Sequence, residues 1–156
     1  MSFFWPTFGF GLLSAVIPIF NMEVYIVAIY KAVPHDWEHI LLLAFVGSLG
    51  QNIGKLVWFY AAEGVLRIKW LDNKLNEPKQ KERIDKWRRQ IEGRPVFSAF
   101  LAFTSAATGI PPITAMAPVA GVLRMNVMIF FVAGLLGRTL FLWAILLGAG
   151  EVFSWF

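Results

Sequence analysis

The chain reads as an all-α membrane protein in which a broken helical stretch followed by a transmembrane helix occurs twice, the second copy inverted. Three observations predict this. Of 156 residues, 58% are hydrophobic and only 15% are charged, with a mean hydropathy of +0.62; a soluble domain carries about 25% charged residues. Two apolar stretches are interrupted by proline, and each is followed by a glycine-rich apolar run long enough to cross a bilayer. The whole of 1–156 is expected to form a single integral membrane domain, with repeat 1 over about 3–62, a linker over 63–94 and repeat 2 over about 95–156.

The first broken stretch runs from Phe3 to Val33. Pro18 lacks the N–H that a continuous helix needs, so two short helices are predicted, Gly9 to Ile17 and Met22 to Val33. Asn21 can cap the second, which puts Glu23 in its first turn, against the positive end of the helix dipole. A carboxylate in such apolar surroundings points to function, because lipid burial of a charge costs about 2.5 kcal/mol or more. Each half is about 15 Å long, half the hydrocarbon thickness. A re-entrant hairpin and a broken span both fit.

Pro34-His35-Asp36-Trp37-Glu38-His39 is polar punctuation. The two histidines superficially resemble a metal site, but a capped helix start with an interfacial tryptophan accounts for the same residues, and no metal is expected. Ile40 to Ala62 is long enough to span. Ser48, Gln51, Asn52 and Lys55 recur along it at helical spacing, beside a smooth strip of Gly47, Gly50 and Gly54 that lets another helix approach closely. Lys55 can be read as snorkelling toward the boundary; the Gln51-Asn52 pair has no such explanation.

Between Glu63 and Arg94 lie ten of the fourteen basic residues and six of the ten acids, so this segment alone carries the net charge of +4. A basic segment between apolar spans belongs on the cytoplasmic side. Its second piece, after Pro78, sets Ile84, Trp87 and Ile91 on one face and is expected to lie flat on the membrane, anchoring the topology or attracting anionic headgroups. No nucleic-acid partner is expected. The start of the chain shows no cleavable signal, and the absence of cysteine excludes disulfides and thiolate metal sites.

Val96 to Val119 is the second broken stretch. Phe97 to Ala107 is helical in character, Thr108-Gly109-Ile110-Pro111-Pro112 interrupts it, and Thr114 to Gly121 resumes; Pro112 suits the first position of a new half-helix. Arg124 and Asn126 mark the next interface. Val127 to Ala149 then spans, with Arg138 about 16 Å from either end, too deep to snorkel. Arg138 needs a partner, and Glu23 is the strongest candidate, whether as a structural tie or as a functional pair.

Aligning the spans makes the repeat concrete. Gly47-Ser-Leu-Gly50-Gln51-Asn52 lies over Gly134-Leu-Leu-Gly137-Arg138-Thr139, with both glycines matched. The two spans must cross in opposite directions because one cytoplasmic loop joins the copies. Inverted repeats with interrupted helices near the midplane are a common plan of secondary transporters.

These features resemble the DedA family, also called the SNARE-associated or VTT-domain family, and are closest to its short bacterial YqaA-like branch. The resemblance rests on Pro18-Ile-Phe-Asn21-Met-Glu23, on Gly47-Ser-Leu-Gly50-Gln51-Asn52-Ile-Gly54 through Tyr60 and Gly64, on Gly109-Ile-Pro111-Pro112 with Ala120-Gly121-Val-Leu-Arg124-Met125, and on Gly137 and Trp143. The stretch Phe103 to Ile113 lacks the arginines that many members carry around the second-hairpin proline. The resemblance implies two facing re-entrant hairpins and a role in moving lipids or lipid-linked phosphates, such as polyprenyl phosphate, between leaflets. It also implies a multi-pass protein of the bacterial inner membrane, its partners being membrane lipids, a lipid phosphate substrate and, as a candidate coupling ion, the proton.

On that reading Glu23 is the proton-titrating or cation-pairing carboxylate. Arg138, and after it Arg124 or Lys55, meets a phosphate headgroup. Half-helix N-termini near Asn21, Thr108, Gly109 and Thr114 face the anion, with Pro111 and Pro112 shaping the second tip and Gln51 and Asn52 lining the path. A non-transporting membrane scaffold with a structural Glu–Arg tie is the alternative. No nucleophile–base set points to an enzyme, no cofactor is implied, and a homo-oligomer is compatible with the chain.

Overall fold

The computed structural model describes residues 3–17, 19–63, 78–108 and 113–154. These are helical apart from short connections, with no strand among them. The helices are α1 (Phe4–Val16), α2 (Met22–Ile29), α3 (Trp37–Glu63), α4 (Pro78–Ile91), α5 (Pro95–Thr108), α6 (Ile113–Val122) and α7 (Val127–Ser154). Two of them, α3 and α7, are long and apolar enough to cross a membrane. Pro18, the segment 64–77, and Gly109, Pro111 and Pro112 lie outside the described residues. So do the side chains of Ile84, Trp87 and Thr114.

The elements differ from expectation mainly at their ends. α1 starts at Phe4, five residues before Gly9, because Pro6 falls in the first turn, where its missing N–H has no partner to lose. α2 stops at Ile29 and tightens into a 3₁₀ turn over Tyr30–Ala32. Pro34 disfavours a helical Val33, which is extended at φ −109° and ψ 153°. Asn21 caps α2 as its position suggested, its Oδ1 accepting from the Glu23 and Val24 amides at 2.9 and 3.3 Å. Asn126 does the same for α7, accepting from Met128 and Ile129. Pro118 sits inside α6 without ending it.

Glycines set the packing of α1 on α3. Gly11 backs onto Gly47, Gly50 onto Phe8 and Leu12, and Gly54 onto Leu12 and Ala15, while Trp58 Nε1 donates to the Ala15 carbonyl at 3.1 Å. Partner numbers rise together along the two helices, so α1 and α3 run parallel. Along α3 and α7 they run oppositely: Gly47 faces Leu142, Gln51 bonds Arg138, and Phe59 meets Phe130 with ring centroids 5.3 Å apart. The two long helices are therefore antiparallel.

The remaining contacts cross over. α1 packs on α3 and α5 packs on α7, whereas α2 leans on α7 and α6 leans on α3. Gly137 abuts Phe103 and Ala107 on α5, as Gly50 abuts Phe8 and Leu12 on α1. Phe10, stacked on Tyr25 at 4.2 Å and edge-on to Phe20, ties α1 to α2. Facing outward, Leu42, Phe45, Ile53 and Val57 on α3 and Val132, Leu136, Leu140 and Leu147 on α7 stay exposed at helical spacing. Rows of that kind suit lipid and not water.

In lipid, close backbone approach replaces the hydrophobic effect as the force joining helices. Gly50→Ala or Gly137→Ala drives a methyl into the facing α1 or α5 backbone and should destabilise by about 1–3 kcal/mol. Gly148→Ala, with nothing within 4 Å, should be neutral or slightly stabilising. Thermal unfolding of the three variants in detergent checks this; equal losses at all three positions would refute it.

Candidate functional site

The deepest polar residues of the two long helices converge. Arg138, only 4% exposed in the middle of α7, donates from Nη2 to Glu23 Oε1 in a close ion pair and from Nε to Gln51 Oε1 at 2.7 Å. Gln51 in turn donates from Nε2 to Ser14 Oγ at 3.2 Å, and the Ser14 hydroxyl donates to the Gly11 carbonyl at 2.8 Å. The guanidinium also lies 4.8 Å from the centroid of the Phe141 ring. One arginine thus joins α7 to α2, to α3 and, through Gln51, to α1.

Each helix delivers its group for a local reason. The Asn21 cap starts α2 at Met22, so Glu23 sits where the dipole favours an anion. Gln51 and Lys55 are four apart on α3 and share a face. Both are buried, as are Ser48 and Asn52, and Gln51 and Asn52 meet α7 at Arg138 and Gly134. The pair is asymmetric in access: the Glu23 side chain is 33% exposed and that of Arg138 5%.

Around the pair stand polar groups with nothing to bond. Lys55 Nζ, both amide atoms of Asn52, Ser48 Oγ and Thr139 Oγ1 are buried without a hydrogen-bond partner. Lys55 lies within electrostatic reach of both Arg138 and Glu23. Each orphaned group costs about 1–3 kcal/mol, and such clusters persist where a ligand or water completes them. Chemically, the site offers two basic side chains, one carboxylate and several neutral donors inside an apolar helical body.

The snorkelling reading of Lys55 is corrected here. At 2% exposure its ammonium points inward with Gln51 and Asn52 instead of along the helix to the surface. Asn21 acts on the backbone of α2, next to Glu23. Thr108 ends α5, exposed, its hydroxyl donating to the Thr104 carbonyl at 2.7 Å. Arg124 is not brought to the cluster, since it precedes α7 by three residues and Arg138 lies roughly 18 Å further along that helix than its Asn126 cap. His39 pairs with Asp36 at 3.1 Å on the exposed start of α3, and no group of three or more possible metal-ligating acids, histidines or cysteines gathers among the described residues.

Two participants escaped sequence reading. Ser14 looked like an ordinary small residue of an apolar helix, and no local signal marked it. Thr139 was marked, because it follows Arg138 as Asn52 follows Gln51 in the aligned spans, and both are now unpartnered.

A scan against protein-family models matches the VTT domain over residues 17–150. Searches of curated proteins and of solved structures found no match.

Removing one partner of the pair should cost more than removing both. Glu23→Leu strands a buried guanidinium and should destabilise by about 3 kcal/mol, the low end for a buried pair because the carboxylate is partly exposed. The double variant Glu23→Leu with Arg138→Met should recover most of that loss. A double-mutant cycle from denaturant unfolding in detergent measures the coupling, and additive losses would show that the two charges are energetically independent.

Proposed function

The chain belongs to the VTT-domain family, a family of helical membrane proteins of DedA type, and on that premise we propose that it carries a lipid or lipid-linked phosphate between leaflets. The observation that carries this reading is the Glu23–Arg138 pair, held mid-span among unpartnered donors and open to the outside on the carboxylate side. A phosphate arriving past Glu23 competes with the carboxylate for the Arg138 guanidinium. Lys55, Asn52 and Thr139 supply further donors to its oxygens. Protonation of Glu23 frees Arg138 for the phosphate, and loss of that proton draws the guanidinium back to the carboxylate and expels the cargo. Proton coupling then follows from exchange of partners at one arginine.

The architecture we propose is an inverted repeat of re-entrant hairpins in a multi-pass bacterial inner-membrane protein, its basic segment cytoplasmic. Parallel α1 and α3 support the first hairpin, because a chain that crosses fully over 4–29 must return antiparallel. Antiparallel α3 and α7 support the inversion. So does the Gln51–Arg138 bond, since positions equivalent in the aligned spans (87 residues apart) meet only where a two-fold axis passes between them.

A second reading, a non-transporting scaffold, is favoured by the fact that acid and arginine already bond each other. The two differ in test. Reconstituted in vesicles with fluorescent phospholipid or polyprenyl phosphate, Glu23→Gln and Arg138→Ala should each lower leaflet exchange by tenfold or more while the protein stays folded. Normal exchange in both variants would remove the mechanism, and full function in the apolar double variant would favour the scaffold.

Topology is tested separately. The chain has no native cysteine, so single cysteines at Lys79 and after Phe156 can be labelled with an impermeant reagent. Re-entrant hairpins put them on opposite sides of the membrane. Four complete crossings put them on the same side.

A further inference from the structure

A second polar site lies at the start of α7, where the turn joining α4 to α5 meets the turn joining α6 to α7. A cavity of about 320 Å³ opens between them. Ile91, Leu123 and Met125 form a buried apolar floor. Arg88, Arg94 and Arg124 line it together with a single acid, Glu92. Phe59 and Phe130 pack close by, so the cavity sits at the end of the molecule where α3 passes into the basic segment.

Two arginines at this cavity are held in unusual ways. Arg124 has φ +51°, in the left-handed region. Its N–H bonds the Gly121 carbonyl and the Met125 N–H bonds the Ala120 carbonyl, both at 3.0 Å, the helix-ending arrangement that glycine normally occupies. Glycine does fill the other left-handed position on the same wall, Gly93 at φ +85°. The turn thus sets an exposed arginine side chain beside the cavity at a position where glycine would fit the backbone better. The second is Arg88. Its Nη2 donates to the Val122 carbonyl at 2.7 Å, closing the end of α6, yet its Nε is buried with no partner.

We infer that this cavity binds a phosphate group at the basic face of the membrane, carried either by an anionic lipid headgroup or by soluble phosphate. Guanidinium forks match phosphate oxygens, and the three arginines outnumber the acids at hand, Glu92 on the lining and Asp85 at 3.9 Å from Arg88 Nη1. Arg94 and Arg124 grip the phosphate, and Arg88, pinned to the Val122 carbonyl, adds positive charge from the wall. The apolar floor suits the first carbons of a lipid beneath its headgroup. The site is roughly 18 Å along α7 from Arg138 and does not depend on transport.

The test uses the full chain in nanodiscs of phosphatidylcholine, with phosphatidylglycerol added in one arm and inorganic phosphate in another, at constant ionic strength. Thermal unfolding is the readout. In pure phosphatidylcholine, Arg124→Gly should melt at or above the parent, because glycine relieves the left-handed turn. The parent should gain stability with phosphatidylglycerol if the ligand is a headgroup, or with inorganic phosphate if it is the soluble anion. Arg124→Gly and Arg94→Gln should each weaken that response by roughly tenfold in apparent affinity. Undiminished responses in both variants, or no response of the parent to either probe, would overturn the site whatever the fate of leaflet exchange.

Discussion

An ion pair between a short helix and a long one, inside an apolar body, constrains everything else in this molecule. Arg138 cannot be buried there unless an acid meets it, and for Glu23 to do so the chain must break before α2 and carry its tip to the middle of α7. The Asn21 cap, the short length of α2 and the hydrogen bond of Gln51 to the guanidinium all serve that meeting. Ser14 extends the network into α1. Charge thus selects one arrangement among the many that apolar helices could adopt, since greasy surfaces alone discriminate poorly in lipid.

Packing supplies what charge does not. Gly50 and Gly137 occupy matching places in the aligned spans, and each lets a shorter helix lie directly against the backbone of a longer one. Those contacts hold α1 to α3 and α5 to α7, leaving α2 and α6 to reach across to the opposite long helix. Lys55 and Asn52, both left without partners, lie among the buried residues of α3, with Asn52 against Gly134 of α7. Rigid seams and an unsatisfied centre are the division of labour expected of a binding site carried on a scaffold.

Much of this was legible in the sequence, and the reasons are local. The cap at Asn21, the depth of Arg138 and the helical spacing of Gln51 and Lys55 follow from periodicity and dipole rules that need no tertiary knowledge. The Glu23–Arg138 pairing was legible because a deep charge demands an opposite one and few were available. Helix ends were less so: α1 extends back past Gly9 through Pro6, which a first turn tolerates, and Val33 was unwound by the proline that follows it. The inward aim of Lys55 could not be read, because a long flexible stem can point either way until its neighbours are known. Nor could the role of Ser14, whose bond to Gln51 spans 37 residues. The left-handed Arg124 was hidden for a similar reason, since nothing in an arginine announces a turn that glycine usually makes.

The crosswise reach of α2 onto α7 has a consequence for biogenesis. The acid is separated from its counter-charge by 115 residues of chain. At the usual pace of translation, about 5–20 residues per second, it waits on the order of 6–23 s for Arg138 to be made. Throughout that interval the carboxylate can meet the field of Lys55 on α3 but not the guanidinium it finally bonds, so the final seating of the first two helices in the bilayer is deferred until the last helix is inserted. The nascent protein is then completed as a unit and not half by half.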